Sequence, residues 1–234
     1  MRSLYFHRQQ MEYTMKIPAL TLVALAALTT NAAAQDTSLE GLQDRIVGTW
    51  TSISCEMRPQ QNAENPDLAP TPSYLTRDFT FGADGGFDAN ITVYADSACA
   101  IPAVSYDFAG DLIWHDANPA AEGAWSQDYL LNRQLELTVL APPVAEQLNQ
   151  LPAGACGEGE FVVGETRDIL GRPCALLRFV EGSAFVTDHD FLYVREDTPN
   201  MLFMGGKHVD GTGFYFPENR PTVGLQQPLI RVAG

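Results

Sequence analysis

The segment YLTRDFTFGADGGFDANITVY, Tyr74 to Tyr94, alternates, turns and alternates again. Leu75, Phe79 and Phe81 share one face, with Arg77 between them. Asp84-Gly85-Gly86 supplies the turn chemistry of a hairpin. The return run puts Phe87, Ala89, Ile91 and Val93 on one face and Asp88, Asn90, Thr92 and Tyr94 on the other. A period of two is the spacing of a strand with one covered face.

The same pattern recurs downstream. In VSYDFAGDLIWH, Val104, Tyr106, Phe108, Leu112 and Trp114 line one side and Ser105, Asp107 and Asp111 the other. LELTVL repeats it with Leu135, Leu137 and Val139 inside. Further strands are expected in EFVVGETRDIL, CALLRFV, DHDFLYVRED, NMLFMGGK and GTGFYFPE. One short helix interrupts them. After Pro142-Pro143, Val144, Leu148 and Leu151 stand at helical spacing, and Pro152 and Gly154 end the run. Ten or so antiparallel strands with one helix predict a mainly β fold, a single barrel or barrel-like sandwich over residues 35–234. Closure would remove the edges along which exposed strands aggregate. Gln60 to Ser73, rich in Pro, Asn and Gln, is expected to be a mobile loop at one end.

The front of the chain reads differently. From Met15, a lysine, an apolar run from Ile17 to Leu28, and Ala32 and Ala34 before Gln35 have the form of a secretory leader. The run is shorter than the roughly 20 apolar residues of a membrane span. The expectation is a start at Met15, residues 1–34 removed, and a periplasmic or secreted protein beginning at Gln35. Residues 1–34 hold three of the 14 Lys and Arg and one of the 29 Asp and Glu, which leaves 11 against 28 and a formal charge of −17. Lys207 is then the only lysine. Such a surface repels phosphate backbones, so nucleic acid is not an expected partner.

Cys55, Cys99, Cys156 and Cys174 make an even count, which in an exported chain points to disulfides. Three pairings exist. Cys55–Cys99 with Cys156–Cys174 closes the shortest loops and is expected, contributing about 4 and about 3 kcal/mol by loop entropy. A zinc site is the competing use, but no Cys-x-x-Cys occurs and His115, His189 and His208 are far from any cysteine in sequence. No metal and no cofactor is expected.

Gly48-x-Trp50 opens GTWTSISCEMRP, which reads as a first strand over Gly48 to Pro59, with Trp50 plugging one end and Cys55 tying down the other. Taken with YLTRDFTF, YADSAC, VAEQL, CGEGEF, HDFLYVRE, LFMG and RPT followed by QQPL, it resembles the adenomatous-polyposis-coli-down-regulated domain family from about Leu42 to Leu229. The four cysteines fall where that family's do. The resemblance implies a bacterial single-copy member and a lipocalin-like open β-barrel whose apolar cavity takes a lipid or acyl chain. The chain departs from the animal pattern. It has one copy rather than two, ends PLIRVAG without a late cysteine or membrane span, and inserts the Gln60–Ser73 loop. The scaffold and cavity carry over, and the signalling role does not.

The expected cavity lining is Trp50, Phe79, Phe81, Phe87, Ile91, Val104, Tyr106, Phe108, Trp114, Leu137, His189, Phe191 and Tyr193. Alternation alone fits a filled interior equally well. His189 lies between Asp188 and Asp190 and could be a polar group at a cavity mouth, a general base, or a structural histidine. No nucleophile elbow, His-Glu-x-x-His or phosphate loop is present. Glu56 and Arg58 share a strand face and read as rim electrostatics or a register lock. The sequence therefore favours a monomeric, non-enzymatic binding module for a lipid, a fatty acid or a lipidated protein. Its rivals are an envelope interaction protein with a filled barrel and a hydrolase using His189.

Overall fold

The computed structural model describes residues 36–60, 67–174, 177, 186–207 and 215–233. The expected leader lies outside them, as do most of CALLRFV, His208 and residues 211–214 of GTGFYFPE. Ten strands form one antiparallel sheet: β1 Gly48–Ser52, β2 Glu56–Gln60, β3 Thr71–Phe81, β4 Gly86–Tyr94, β5 Pro102–Ala117, β6 Trp125–Val139, β7 Thr166–Asp168, β8 Val186–Val194, β9 Met201–Met204 and β10 Leu229–Arg231. Two α-helices lie among the described residues, α1 Leu39–Ile46 and α2 Pro142–Asn149.

The strand order is β1-β10-β9-β8-β6-β5-β4-β3, and β3 pairs with β1 again. Backbone hydrogen bonding thus runs once around and returns to its starting strand. The hairpin read from Asp84-Gly85-Gly86 is present. Gly82 N–H donates to Gly86 O at 2.9 Å, Asp84 Oδ1 accepts from Gly86 N–H at 3.0 Å, and Gly85 sits at φ +82°. A residue with a Cβ is strained at that φ. Phe81 then faces Phe87, and Phe79 faces Ala89, as alternation requires.

Gly48–Pro59 is not one strand. β1 pairs Thr51 with Asp78, and β2 pairs Glu56 with Leu75. Five steps on one side match three on the other, so two extra residues loop out before Glu56. The Cys55–Cys99 disulfide ties this break to the turn between β4 and β5. In that turn the Asp96 carboxylate accepts from the backbone N–H of Ala98, Ala100 and Ile101. Gln60 and Thr71–Ser73, expected in a loop, extend the β2–β3 pairing because their backbones find ladder partners. Phe161 to Gly164, expected as strand, is not; only Thr166–Asp168 of that run pairs, against β6.

Helix α1 was not anticipated. Ser38 Oγ caps it by accepting from Gly41 N–H at 3.0 Å, and Leu42 and Ile46 face the core. Trp50 Nε1 donates to Ile46 O at 2.7 Å, and the Arg231 guanidinium lies 4.2 Å over the Trp50 ring while bonding the Val47 and Arg45 carbonyls. Trp125 Nε1 donates to Thr37 O at 3.0 Å. These bonds fix α1 and its flanks against β1, β10 and β6 at the end of the ring where β1 starts, and Trp50 is fully buried there. Helix α2 begins at the double proline, buries Ala145 and Leu148, and is joined to the next loop by Asn149, whose side chain bonds both Phe161 N and O. The Cys156–Cys174 disulfide closes that loop.

Candidate binding site inside the strand ring

Register decides which side chains look inward. Trp50, Phe79, Phe81 and Phe87 gather at the end closed by α1, with the last three around Tyr129 at centroid distances of 5.7, 6.5 and 4.9 Å. Ile91 pairs with Tyr106, which pairs with Leu137. Val104 and Phe108 share the face of Tyr106, and Phe108 stands 6.1 Å from it. Trp114 pairs with Gln127 beyond a bulge in β5. These ten expected lining residues share the inner face, although the apolar set is not uniformly covered. Ile91, Val93, Phe108, Leu112 and Trp114 are only half-buried, whereas Trp50, Leu135 and Leu137 are fully buried.

His189, Phe191 and Tyr193 are placed otherwise. Strand β8 pairs Leu192 with Trp125, Asp190 with Gln127 and Asp188 with Tyr129, so the even-numbered residues look inward. His189, Phe191 and Tyr193 occupy the opposite face. In strands, a one-residue change of register exchanges the two faces. Here both faces carry apolar residues, and the two aspartates misdirect a reading that sends charge to solvent.

The inward aspartates belong to a buried polar cluster. Asp190 Oδ1 accepts from the N–H of Phe191 and of Gly205, each at 2.8 Å, and its Oδ2 lies 2.7 Å from Lys207 Nζ. Lys207 also meets Asp188 Oδ1 at 2.8 Å. Arg77, 1% exposed, donates from Nε to Glu56 Oε1 at 2.8 Å, from Nη2 to Gln227 O at 2.7 Å and from Nη1 to Met204 Sδ at 3.1 Å. Ser52 Oγ donates to the same Glu56 oxygen at 2.6 Å, and Arg58 lies 3.6 Å from the other and bonds Gln226. Glu56 thus belongs to the interior, with Arg77 its nearer partner, while the Arg58 side chain stays 26% exposed. A buried charge persists only when paired and hydrogen-bonded, and here each has a partner.

Burial pushes the Asp188 carboxyl up to about 7, against the pull of Lys207. For Lys207, burial opposes the charge, but Asp188 and Asp190 outweigh it and hold the ammonium above its ordinary range. Burial, with Arg77 nearby, lowers Arg58 to about 10. Tyr129 and Tyr215 are raised, first by burial and then by Asp188 and a second neighbour each, Asp190 for Tyr129 and Tyr106 for Tyr215. Among the described residues, two inward side chains have polar atoms without partners: Gln127, at both carboxamide atoms, and Tyr129, at its hydroxyl. Each such atom costs about 1–3 kcal/mol when buried and unmet.

The outer face of the same strands holds a second cluster. The Asp128 carboxylate accepts from His189 Nδ1 at 2.7 Å, His115 Nε2 at 2.8 Å and Arg220 Nη2 at 2.5 Å. Burial raises the Asp128 pKa, but these three bonds outweigh it and leave the group below its ordinary range. Arg220 also bonds the Gln127 and Asp190 carbonyls at 2.6 and 2.9 Å, so the cluster pins the Pro217–Asn219 turn to the sheet. Among the described residues no serine, threonine or cysteine hydrogen-bonds His189. Through Asp128 the cluster joins β5, β6 and β8 to Arg220.

Sequence reading singled out Arg77 and Glu56 but missed Gln127, Tyr129, Asp188, Asp190 and Lys207 as a group. One signal was available: after Gln35 the chain has one lysine, and it pairs with two carboxylates. The family model described as Adenomatosis polyposis coli down-regulated 1 matches residues 28–167. No curated protein matches the chain.

Proposed function

The chain belongs to the adenomatosis polyposis coli down-regulated 1 family, and from that premise we propose that it is a non-enzymatic binding protein, periplasmic or secreted, whose strand ring is a lipocalin-like barrel holding the apolar chain of a lipid, fatty acid or acylated partner. The observation that carries this reading is the half-buried state of Ile91, Val93, Phe108, Leu112 and Trp114 on a face that register turns inward. Apolar side chains that look into a ring yet keep accessible surface are the wall a hydrocarbon needs. Two disulfides fit an oxidising compartment, and no helix among the described residues is long and apolar enough to cross a membrane.

The strength follows from area. About ten methylenes seated inside, at about 0.8 kcal/mol each, give about 8 kcal/mol, which corresponds to a micromolar Kd before ordering costs. Titration with N-phenyl-1-naphthylamine, whose fluorescence rises in apolar surroundings, tests the reading. Enhancement that saturates near one dye per chain and is reversed by palmitic acid supports it. No enhancement, with near-UV circular dichroism showing a folded protein, means that the interior is filled and the envelope-partner reading takes its place.

A further inference from the structure

We propose that Gln127 and Tyr129 mark the seat of the ligand's polar end, and that this end is an uncharged group that both donates and accepts hydrogen bonds: a primary amide, an alcohol or a protonated carboxylic acid. The inference rests on the binding reading above and adds the ligand's chemistry. Gln127 is fully buried and Tyr129 is 4% exposed, yet the carboxamide nitrogen, the carboxamide oxygen and the phenol oxygen have no partner among the described residues. The two residues are two apart on β6, so they share the inner face. Directly across on β8 stand Asp190 and Asp188.

Those aspartates do not serve them. Both Asp190 oxygens are engaged, one by two backbone N–H groups and one by Lys207. Asp188 Oδ1 is held by the same ammonium. A donor, an acceptor and a hydroxyl of either sense thus stand together with nothing to bond, which is the complement of a guest that has both a donor and an acceptor. Charge selects further. Glu56 is already paired with Arg77 and Asp190 with Lys207, so an ionic guest would have to compete with pairs already made in a low-dielectric interior, whereas a neutral one leaves both intact.

The test compares two amphiphiles of one chain length, dodecanamide and dodecyltrimethylammonium, as displacers of N-phenyl-1-naphthylamine. With the unaltered protein, dodecanamide should act at about tenfold lower concentration, the effect of one or two good hydrogen bonds. Tyr129→Phe keeps the ring against Phe87 and removes only the oxygen; Gln127→Leu keeps the volume. Either should narrow the ratio to about threefold or less. Ligand-free Tyr129→Phe should melt no lower than the parent, because it loses an unmet group. Equal displacement by both amphiphiles, or a ratio unmoved in both variants, overturns the inference and leaves the binding reading standing. A melting point lowered by about 5 °C or more in ligand-free Tyr129→Phe also overturns it, since buried water would then already satisfy the hydroxyl. If the dye does not bind at all, both readings fall together.

Discussion

Replacing Arg77 by methionine removes a buried cation and strands its partner. Arg77 supplies three hydrogen bonds, to Glu56, Gln227 and Met204. Glu56 is 2% exposed, so after the change its carboxylate keeps only Ser52 Oγ at 2.6 Å and Arg58 at 3.6 Å. Breaking one side of a buried pair costs about 3–5 kcal/mol. The remaining contacts place the expected loss near 3 kcal/mol. Glu56→Leu alone leaves Arg77 unpaired and should cost about as much. The double replacement removes both charges, and a well-packed apolar pair is often neutral against a buried ion pair. The cycle should therefore be strongly non-additive, with the double variant recovering at least about 2 kcal/mol relative to the summed singles. Urea unfolding at 15 °C, followed by tryptophan fluorescence, measures all four proteins. A single-variant loss under about 1 kcal/mol, or simple additivity, would show that Arg77 and Glu56 are solvated and would refute the placement of this cluster inside the ring.

Other consequences are testable in the same way. Arg231→Met removes the cation over Trp50 and two bonds to the Arg45 and Val47 carbonyls at the C-terminal end of α1, and should lower stability by about 1–3 kcal/mol and loosen that end, visible as faster amide exchange at Leu42 and Ile46. Replacing Cys55 and Cys99 together by alanine should cost about 4 kcal/mol, and Cys156 with Cys174 about 3, measured by the same unfolding curves. Asp188 holds its proton up to about 7 in the folded chain and only to about 4 when unfolded, so the folded state binds more protons between these values. Its contribution must make stability fall as pH rises from 4 to 7, and Asp188→Asn should remove that slope. Asp128 has the opposite sign: its pKa is depressed in the fold, so its contribution is present above about pH 4 and lost on acidification, a loss absent in Asp128→Asn.

Much of the fold was legible because strand periodicity writes itself into sequence. The β3–β4 hairpin, the inner faces of β5 and β6, helix α2 and the disulfide pairing all follow from alternation, turn residues, a double proline and short loops. Helix α1 left a signal that went unread, Ser38 before Leu39, Leu42 and Ile46, because it is eight residues long and its role appears only when Trp50 bonds its last carbonyl. The face of β8 was not legible. In TDHDFLYV, apolar residues stand on both faces, and only the pairing with β6 and the presence of Lys207 turn Asp188 and Asp190 inward. Long-range pairing is also what cancels the cost of burying Arg77 and Glu56, and no local pattern records it. The interior site was legible as oil but not as polar chemistry, since Gln127 and Tyr129 are ordinary strand residues until their neighbours are known.

Native mass spectrometry of the protein purified from its own source tests the central claim most directly. The account predicts a folded species heavier than the polypeptide by one amphiphile of a few hundred daltons, which organic extraction removes and an added long-chain amide or alcohol restores. A single species at the polypeptide mass, unchanged by extraction and refusing every added amphiphile, would contradict it.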